Sequence, residues 1–178
     1  MNLTEFVEEH GSPLTKEAEG YIFRMGDRDR SLYIVQSGLL KAYYLSADGK
    51  ENIKSFLVPG DSIGSITSAY ADKGCTFSLM CLQDCKLICV EFDAVLNESK
   101  NDSELSTEII KFLLGFAMKK EAREYELLCL SAEDRYRRLV DTRPEIFDLV
   151  TQIDIARYLG VTPVGLSRIK KRVSATPA

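Results

Sequence analysis

The chain has 178 residues, of which 45% are hydrophobic and 28% charged, a composition typical of globular proteins. Its longest apolar runs fall short of the roughly 18 residues of a membrane span, and the acidic N-terminus is unlike a secretory signal. We therefore expect a cytoplasmic protein with no membrane partner. The single histidine, His10, and the lack of a catalytic motif argue against an enzyme, so we expect no catalytic residue, metal or cofactor.

The net charge of −4 is unevenly divided along the chain. Residues 150–178 contain five cations and one anion, a net charge of +4, so the preceding residues carry −8. A compact basic end on an acidic body is the footprint expected for a polyanion partner. A short basic stretch also occurs as an ordinary solvated surface, and charge alone leaves both interpretations open.

Short apolar, β-branched and aromatic runs separated by turn residues fill the stretch from Tyr21 to Phe92 and predict strands. The predicted strands lie at 21–23, 31–38, 39–46, 51–58, 75–82 and 86–92. Residues 47–49 and 59–61 have the composition of tight turns. Strands at this spacing predict an antiparallel β-roll of jelly-roll or cupin-like type, with its edges covered.

The five cysteines lie in or beside apolar runs, which predicts buried, reduced thiols rather than disulfides. Cys81, Cys85 and Cys89 are four residues apart, so a redox or iron–sulfur role is the alternative. A turn predicted at 83–84 would interrupt the face that they share. Core packing is therefore the favoured interpretation.

A long amphipathic helix is predicted over 103–131, capped by Asp102 or Ser103. Its apolar stripe consists of Leu105, Ile109, Phe112 and Phe116. At 1.5 Å per residue the helix would span roughly 44 Å, more than one small roll needs. We expect the stripe to form a homodimer interface, the alternative being that the helix only covers its own roll.

The last thirty residues predict a helix-turn-helix. Thr151 is suited to cap a first helix, with Asp154 three residues later, and Gly160 is suited to end it in a left-handed turn. Thr162 and Pro163 are a strong start for a second helix. In this motif the second helix reads the major groove of DNA, whereas an αα-hairpin that only packs is the alternative.

The second helix should bury Leu166 and Ile169 and present its opposite face to DNA. Arg168 can donate two hydrogen bonds to guanine, Ser167 can reach phosphate or base, and Val164 can contact a thymine methyl group. The basic side chains at the end of the helix suit phosphates. The full set of predicted DNA-binding residues is Thr162, Val164, Ser167, Arg168, Lys170, Lys171 and Arg172.

This order of parts resembles the Crp/Fnr family of bacterial transcription regulators over nearly the whole chain. The resemblance lies in LSAEDRYRRL at 130–139, RPE at 143–145, IARYLGVTP at 155–163 and LSRIKK at 166–171. In the roll, VQSGLLK at 35–41, DGK at 48–50 and PGDSIG at 59–64 are similar to the cyclic-nucleotide-binding fold. The match is closest to a short branch whose members stop soon after the recognition helix, so no wing is expected.

The resemblance implies a roll that senses an effector and a long helix that dimerises. Relatives that bind cyclic AMP hold its ribose with a Gly-Glu pair and its phosphate with an Arg followed by Ser or Thr. The effector-pocket positions here are Gly64, Ser65, Cys75 and Thr76, without the carboxylate or the guanidinium. We therefore expect negligible affinity for cyclic AMP. Val164 and Gly165 stand where relatives carry Glu and Ser or Thr, so the family's target sequence does not transfer.

The predicted fold class is α+β, with a cyclic-nucleotide-binding-like β-roll at 1–102, a dimerisation helix at 103–131 and a helix-turn-helix domain at 132–178. The predicted function is a homodimeric, sequence-specific transcription regulator with a palindromic double-stranded DNA operator and an unknown small-molecule effector. The alternative is a small-ligand or protein-interaction sensor with weak or lost DNA binding. A steep fall of DNA affinity with salt would distinguish the two.

Overall fold

Two four-stranded antiparallel sheets enclose one hydrophobic core in a computed structural model that describes residues 1–175. Their strand orders are β1-β8-β3-β6 and β2-β7-β4-β5. The strands are β1 (Ser12–Lys16), β2 (Tyr21–Phe23), β3 (Ser31–Ser37), β4 (Leu40–Leu45), β5 (Glu51–Leu57), β6 (Ser62–Ile63), β7 (Ser78–Cys81) and β8 (Cys85–Glu91). The predicted antiparallel roll is therefore confirmed.

All six predicted strands are present, and two short edge strands were not predicted. β1 pairs only with β8, and β6 only with β3. Pro13 lies within β1, where a residue without an N–H group is tolerated because the strand is at an edge. The polar sequence of β1 and the two-residue length of β6 leave little periodicity to detect.

Of the helices in residues 1–175, one precedes the roll, one lies between its strands β6 and β7, and the other six follow it. The helices are α1 (Leu3–His10), α2 (Ile66–Ala71), α3 (Phe92–Ser99), α4 (Ser103–Cys129), α5 (Ala132–Thr142), α6 (Ile146–Leu149), α7 (Gln152–Leu159) and α8 (Pro163–Ala175). Asp102 caps α4 by accepting a hydrogen bond from the backbone N–H of Leu105 at 2.9 Å. Within residues 1–175, no helix combines the length and the apolar character needed to cross a membrane.

The apolar stripe predicted for the dimer interface faces its own subunit. Leu105 is completely buried with Phe6, Val90 and Val95, and Ile109 packs against the same cluster. Phe112 and Phe116 are half-buried. The assignment of Leu105 to a surface between subunits is therefore corrected, because its own roll and α1 already cover it.

A second apolar row on α4 lies on the side away from the roll and is exposed. Leu114 is 59% exposed, Met118 68% and Leu128 76%. Ile110, Leu113 and Tyr125 lie among them and are also exposed. The helix is apolar on two sides between residues 109 and 118, so its periodicity indicates an amphipathic helix without showing which side meets the roll.

The cysteine prediction is confirmed for Cys75, Cys81 and Cys85, which are buried, whereas Cys89 is half-buried. Burial, followed by a hydrogen bond with Cys85, raises the pKa of the Cys81 thiol to about 12. A thiol with a raised pKa is a poor nucleophile and a poor metal ligand. The prediction is wrong for Cys129, which ends α4 and is exposed, since it lies on the uncovered side of that helix.

Candidate functional site

The helix-turn-helix forms as its caps predict. The side chain of Thr151 accepts a hydrogen bond from the backbone N–H of Asp154 at 3.1 Å, and α7 begins there. Gly160 ends α7 with φ 68°, in the left-handed region that favours glycine. The hydroxyl of Thr162 then accepts a hydrogen bond from the N–H of Gly165 at 3.0 Å, at the start of α8.

A compact core holds the two helices against each other. Ala156 on α7 is fully buried, and Leu166 and Ile169 on α8 are 1% and 3% exposed. Leu139 of α5 joins the same cluster. The small side chain of Ala156 permits α8 to cross α7 closely, so the orientation of α8 is fixed by packing.

The outer face of α8 presents the residues predicted to read bases. Val164 is 61% exposed, and Ser167, Arg168 and Lys171 are exposed beside it. Within residues 1–175, neither Arg168 nor Lys171 forms an ion pair or a hydrogen bond through its side chain. Both cations are therefore available to an external anion.

Two other predicted cations of α8 are engaged within the chain. The Lys170 ammonium donates a hydrogen bond to the side-chain oxygen of Gln152 at 2.9 Å. Arg172 forms an ion pair with Glu133 of α5 at 3.0 Å. That contact, together with Arg137, lowers the pKa of the Glu133 carboxyl group. A phosphate contact by Arg172 requires exchange of this carboxylate for the phosphate.

A network of four charged side chains joins the helix-turn-helix to the roll. Lys41, which is 5% exposed, lies 2.9 Å from a Glu51 carboxylate oxygen and 3.5 Å from one of Asp154. Arg157 pairs with the same two acids, at 2.7 Å and 3.8 Å. Because a buried charge is tolerated only when it is paired, this network holds α7 against β4 and β5.

Aromatic and hydrogen-bonding contacts extend this junction to α4. The Phe56 and Tyr158 rings lie 5.5 Å apart, and Arg143 donates a hydrogen bond to the Phe56 carbonyl oxygen at 3.1 Å. The Arg123 guanidinium lies 3.9 Å from the Tyr158 ring centroid and donates to the Tyr158 carbonyl oxygen. The roll, the long helix and the helix-turn-helix thus meet at one place.

Three of the four effector-pocket candidates, Gly64, Ser65 and Cys75, are buried, and none of the four carries a charge. Ser65 is buried and caps α2, where it accepts a hydrogen bond from the N–H of Ser68. Cys75 is 2% exposed in the roll core, and Thr76 is exposed. Gly64 lies so close to β3 that an added Cβ would be 2.7 Å from the Ser31 carbonyl oxygen. These positions supply no charged group for a nucleotide.

Aromatic side chains occupy the interior of the roll near these positions. The Phe23 ring contacts the Phe77 ring edge-on at 5.2 Å and lies 6.2 Å from the Tyr33 ring. The Tyr33 hydroxyl donates a hydrogen bond to Asp29 at 2.7 Å, and burial raises its pKa. A polar ligand in this interior would have to displace packed aromatic rings.

Known proteins are similar to this chain in sequence and in fold. A family model described as "Cyclic nucleotide-binding domain" matches residues 14–102, half of the chain. The anaerobic regulatory protein of Aggregatibacter actinomycetemcomitans is 27% identical over 93% of this chain and 67% of its own length. The fumarate and nitrate reduction regulatory protein of Vibrio cholerae is 28% identical over 93% and 69%. This chain thus spans about two thirds of the length of these relatives.

Solved structures give the same result for the fold. FixK2 from Bradyrhizobium japonicum superposes with a TM-score of 0.79 and 17% identity, over 93% of this chain and 85% of that one. The c-di-GMP responsive regulator CLP from Xanthomonas campestris superposes with a TM-score of 0.72 and 20% identity, over 97% and 90%. The fold is that of a transcription regulator in which a cyclic-nucleotide-binding-like roll precedes a helix-turn-helix. The chain belongs to the Crp/Fnr family.

Proposed function

We propose that this protein is a homodimeric, sequence-specific DNA-binding transcription regulator that acts in the cytoplasm and senses an effector other than cyclic AMP. Its working units are the roll at 1–102, the dimerisation helix at 103–131 and the helix-turn-helix domain at 132–178. The relatives named above are regulatory proteins, which agrees with this proposal and with a role other than catalysis.

The observation that carries the DNA-binding proposal is the outer face of α8. Arg168 and Lys171 project from a capped, packed helix and have no partner within residues 1–175. Bidentate hydrogen bonding of an arginine to guanine is the commonest specific contact in the major groove. Val164, between the start of α8 and Arg168, is an exposed apolar surface suited to a thymine methyl group.

Dimerisation is proposed through the exposed row of α4 rather than the buried stripe. Leu114, Met118 and Leu128 lie on the side of α4 that faces away from the roll. A contiguous apolar row of this size on a long helix indicates a protein partner. A second copy of the chain is the simplest one, because each copy presents the same row to a two-fold axis.

Arg168→Ala tests the assignment of the reading helix. We expect a loss of roughly 1–3 kcal/mol in binding to the preferred duplex and relaxed preference at one base pair in each half-site. Fluorescence anisotropy with the preferred duplex and a base-substituted one measures both effects. Unchanged affinity and unchanged base preference would refute the role of α8, even if the protein still bound DNA.

Cyclic AMP is expected to bind negligibly, because Ser65 and Cys75 supply neither the carboxylate nor the guanidinium that the family uses for this ligand. Aromatic packing around Phe23 and Phe77 adds a steric reason. Isothermal titration calorimetry checks this expectation. A micromolar dissociation constant would contradict it.

A sensor with weak DNA binding is the second candidate, favoured by the intramolecular contacts of Lys170 and Arg172. If these two cations do not reach phosphates, fewer counterions are released on binding. The affinity for DNA would then fall only slightly with salt, whereas each phosphate contacted adds about 0.9 to the slope of log K against log salt. A steep slope supports the regulator, and a flat one supports the sensor.

A further inference from the structure

Lys54 on β5 is a half-buried cation whose surroundings are aromatic. Its ammonium nitrogen lies 4.8 Å from the centroid of the Phe77 ring in the roll and 5.6 Å from that of Phe116 on α4. The Lys120 ammonium lies 5.2 Å from the same Phe116 ring. Within residues 1–175, no carboxylate comes within ion-pair distance of Lys54 or of Lys120.

Holding Lys54 in this place has an energetic cost. Burial of the ammonium group, followed by repulsion from Lys120, lowers the pKa of Lys54 to about 8. Contact with the two rings offsets only part of that cost, since a cation–π contact is weaker than the hydration of an ammonium ion. A methionine in this position would fill similar space without the penalty.

A cavity of about 1180 Å³ opens beside Lys54, between β5, α4 and the helix-turn-helix. Other cations of its wall already have partners: Lys119 pairs with Asp61 at 3.7 Å, and Arg143 with Glu145 at 3.1 Å. Glu124 is the remaining acid of the wall, and it makes no ion pair within the described part of the chain. The unneutralised positive charge of the cavity is therefore concentrated at Lys54 and Lys120.

Apolar side chains line the cavity next to these two lysines. Phe112, Phe116 and Leu127 project from α4, and Tyr44 projects from the roll. The volume is sufficient for a small organic molecule. The wall thus combines one cationic point with an apolar surface, which is the complement of a molecule with one anionic head and an apolar body.

We propose that this cavity binds an amphipathic organic anion, with its carboxylate, sulfonate or phosphate group at Lys54 and Lys120 and its apolar body against Phe112, Phe116 and Leu127. The role of this ligand as the effector rests on the proposed function, whereas its binding does not. Arg157 and Tyr158 of the helix-turn-helix also line the cavity, so the proposed site adjoins the part of the chain that carries α8.

The test uses two fluorescent probes with the full chain in the absence of DNA. 1-Anilinonaphthalene-8-sulfonate has the anionic head and aromatic body, and N-phenyl-1-naphthylamine is its neutral counterpart. We expect the sulfonate to bind saturably and Lys54→Met to weaken it roughly tenfold or more, about 1.4 kcal/mol for each factor of ten. Lys54→Arg should retain the affinity to within about threefold, because it keeps the charge.

The controls separate charge recognition from adsorption to apolar surfaces. Lys86→Met removes an exposed lysine of β8 outside the cavity and should leave the affinity unchanged. The neutral probe should bind the wild type and Lys54→Met alike. Equal affinity of the sulfonate for folded Lys54→Met and the wild type, or an equal Lys54 dependence of the neutral probe, would overturn the proposal.

Lys120→Met is a second variant, at an exposed position where the fold is not at risk. Weaker sulfonate binding supports the site, and unchanged binding overturns the part assigned to Lys120. Circular dichroism verifies the fold of each variant. Because the titration contains no DNA, loss of DNA binding by the protein would refute the proposed function without affecting this result.

Discussion

The outer faces of α4 and α8 have opposite chemistry although both helices bury their other face within the chain. α4 exposes Leu114, Met118 and Leu128, whereas α8 exposes Ser167, Arg168 and Lys171. An uncovered apolar row gains free energy by contact with another apolar surface, and uncovered cations gain it by contact with a polyanion. The difference supports the two partners proposed above: a second copy of the chain at α4 and DNA at α8.

The largest expected effect comes from placing a charge in the exposed row of α4. Leu114→Glu would put one carboxylate from each subunit into a two-fold interface, where desolvation and like-charge repulsion cost several kcal/mol. We expect the variant to be monomeric at micromolar concentration while remaining folded. Light scattering measures the mass, and a dimer as stable as that of the wild type would remove Leu114 from the interface.

Leu105→Ala is the matched change on the buried side of α4. It should lower the free energy of unfolding by roughly 2–5 kcal/mol through loss of packing against Phe6 and Val95, with the self-association of the folded protein retained. Lys86→Met, at an exposed position of β8 away from α4, should change neither quantity. Leu105→Ala thus tests the contact of α4 with the roll through stability, and Leu114→Glu tests the contact with the partner through self-association.

An intermediate effect, on the free energy of unfolding, is expected from Lys54. This cation is half-buried, whereas Arg168 and Lys171 of α8 are exposed. Its pKa is about 8 in the folded protein and 10.5 when unperturbed. Between these values the unfolded chain keeps the proton that the folded chain has lost, so rising pH stabilises the fold. Lys54→Met should exceed the wild type in stability at pH 7.5, and its advantage should shrink by on the order of 2 kcal/mol, or less with solvent screening, by pH 9.5.

Urea unfolding of both proteins at the two pH values measures this difference, with Lys86→Met as the control. The control should differ from the wild type equally at both values, since Lys86 is exposed. An advantage of Lys54→Met that did not change with pH would mean that folding does not lower the pKa of Lys54.

The smallest effect concerns Lys171, which is proposed to contact phosphate rather than a base. Lys171→Ala should weaken binding to all duplexes alike and reduce the slope of log K against log salt by about 1. Anisotropy titrations at several salt concentrations measure the slope. A change of base preference would instead place Lys171 at the base edges and alter the register of α8 in the groove.

The sequence was most informative where local rules decide the structure. Caps at Thr151 and Thr162 and the left-handed turn at Gly160 depend on neighbours within four residues, and all three formed as predicted. Alternating strands with glycine turns likewise define a roll from local pattern. The helix-turn-helix and the six main strands could therefore be located without a structure.

Tertiary contacts were outside the reach of such rules. Lys41 reads as a polar residue in a strand, and its acidic partner Asp154 lies more than a hundred residues later. The same limit applies to α4. Because this helix has apolar residues on two sides, periodicity could not show which side packs against the roll. Lys54 gave no signal in the sequence because its two ring partners are distant along the chain: Phe77 lies just before β7, and Phe116 lies on α4.

Selection from a random duplex library with the purified protein tests the central claim most directly. A dimer that presents two copies of α8 should enrich a two-fold symmetric site whose half-sites lie about 10 base pairs apart, one turn of the DNA helix. Selection with Arg168→Ala should lose the preference for one base pair in each half-site. Recovery of no enriched sequence, or of a single asymmetric half-site by a protein that is dimeric in solution, would contradict the account.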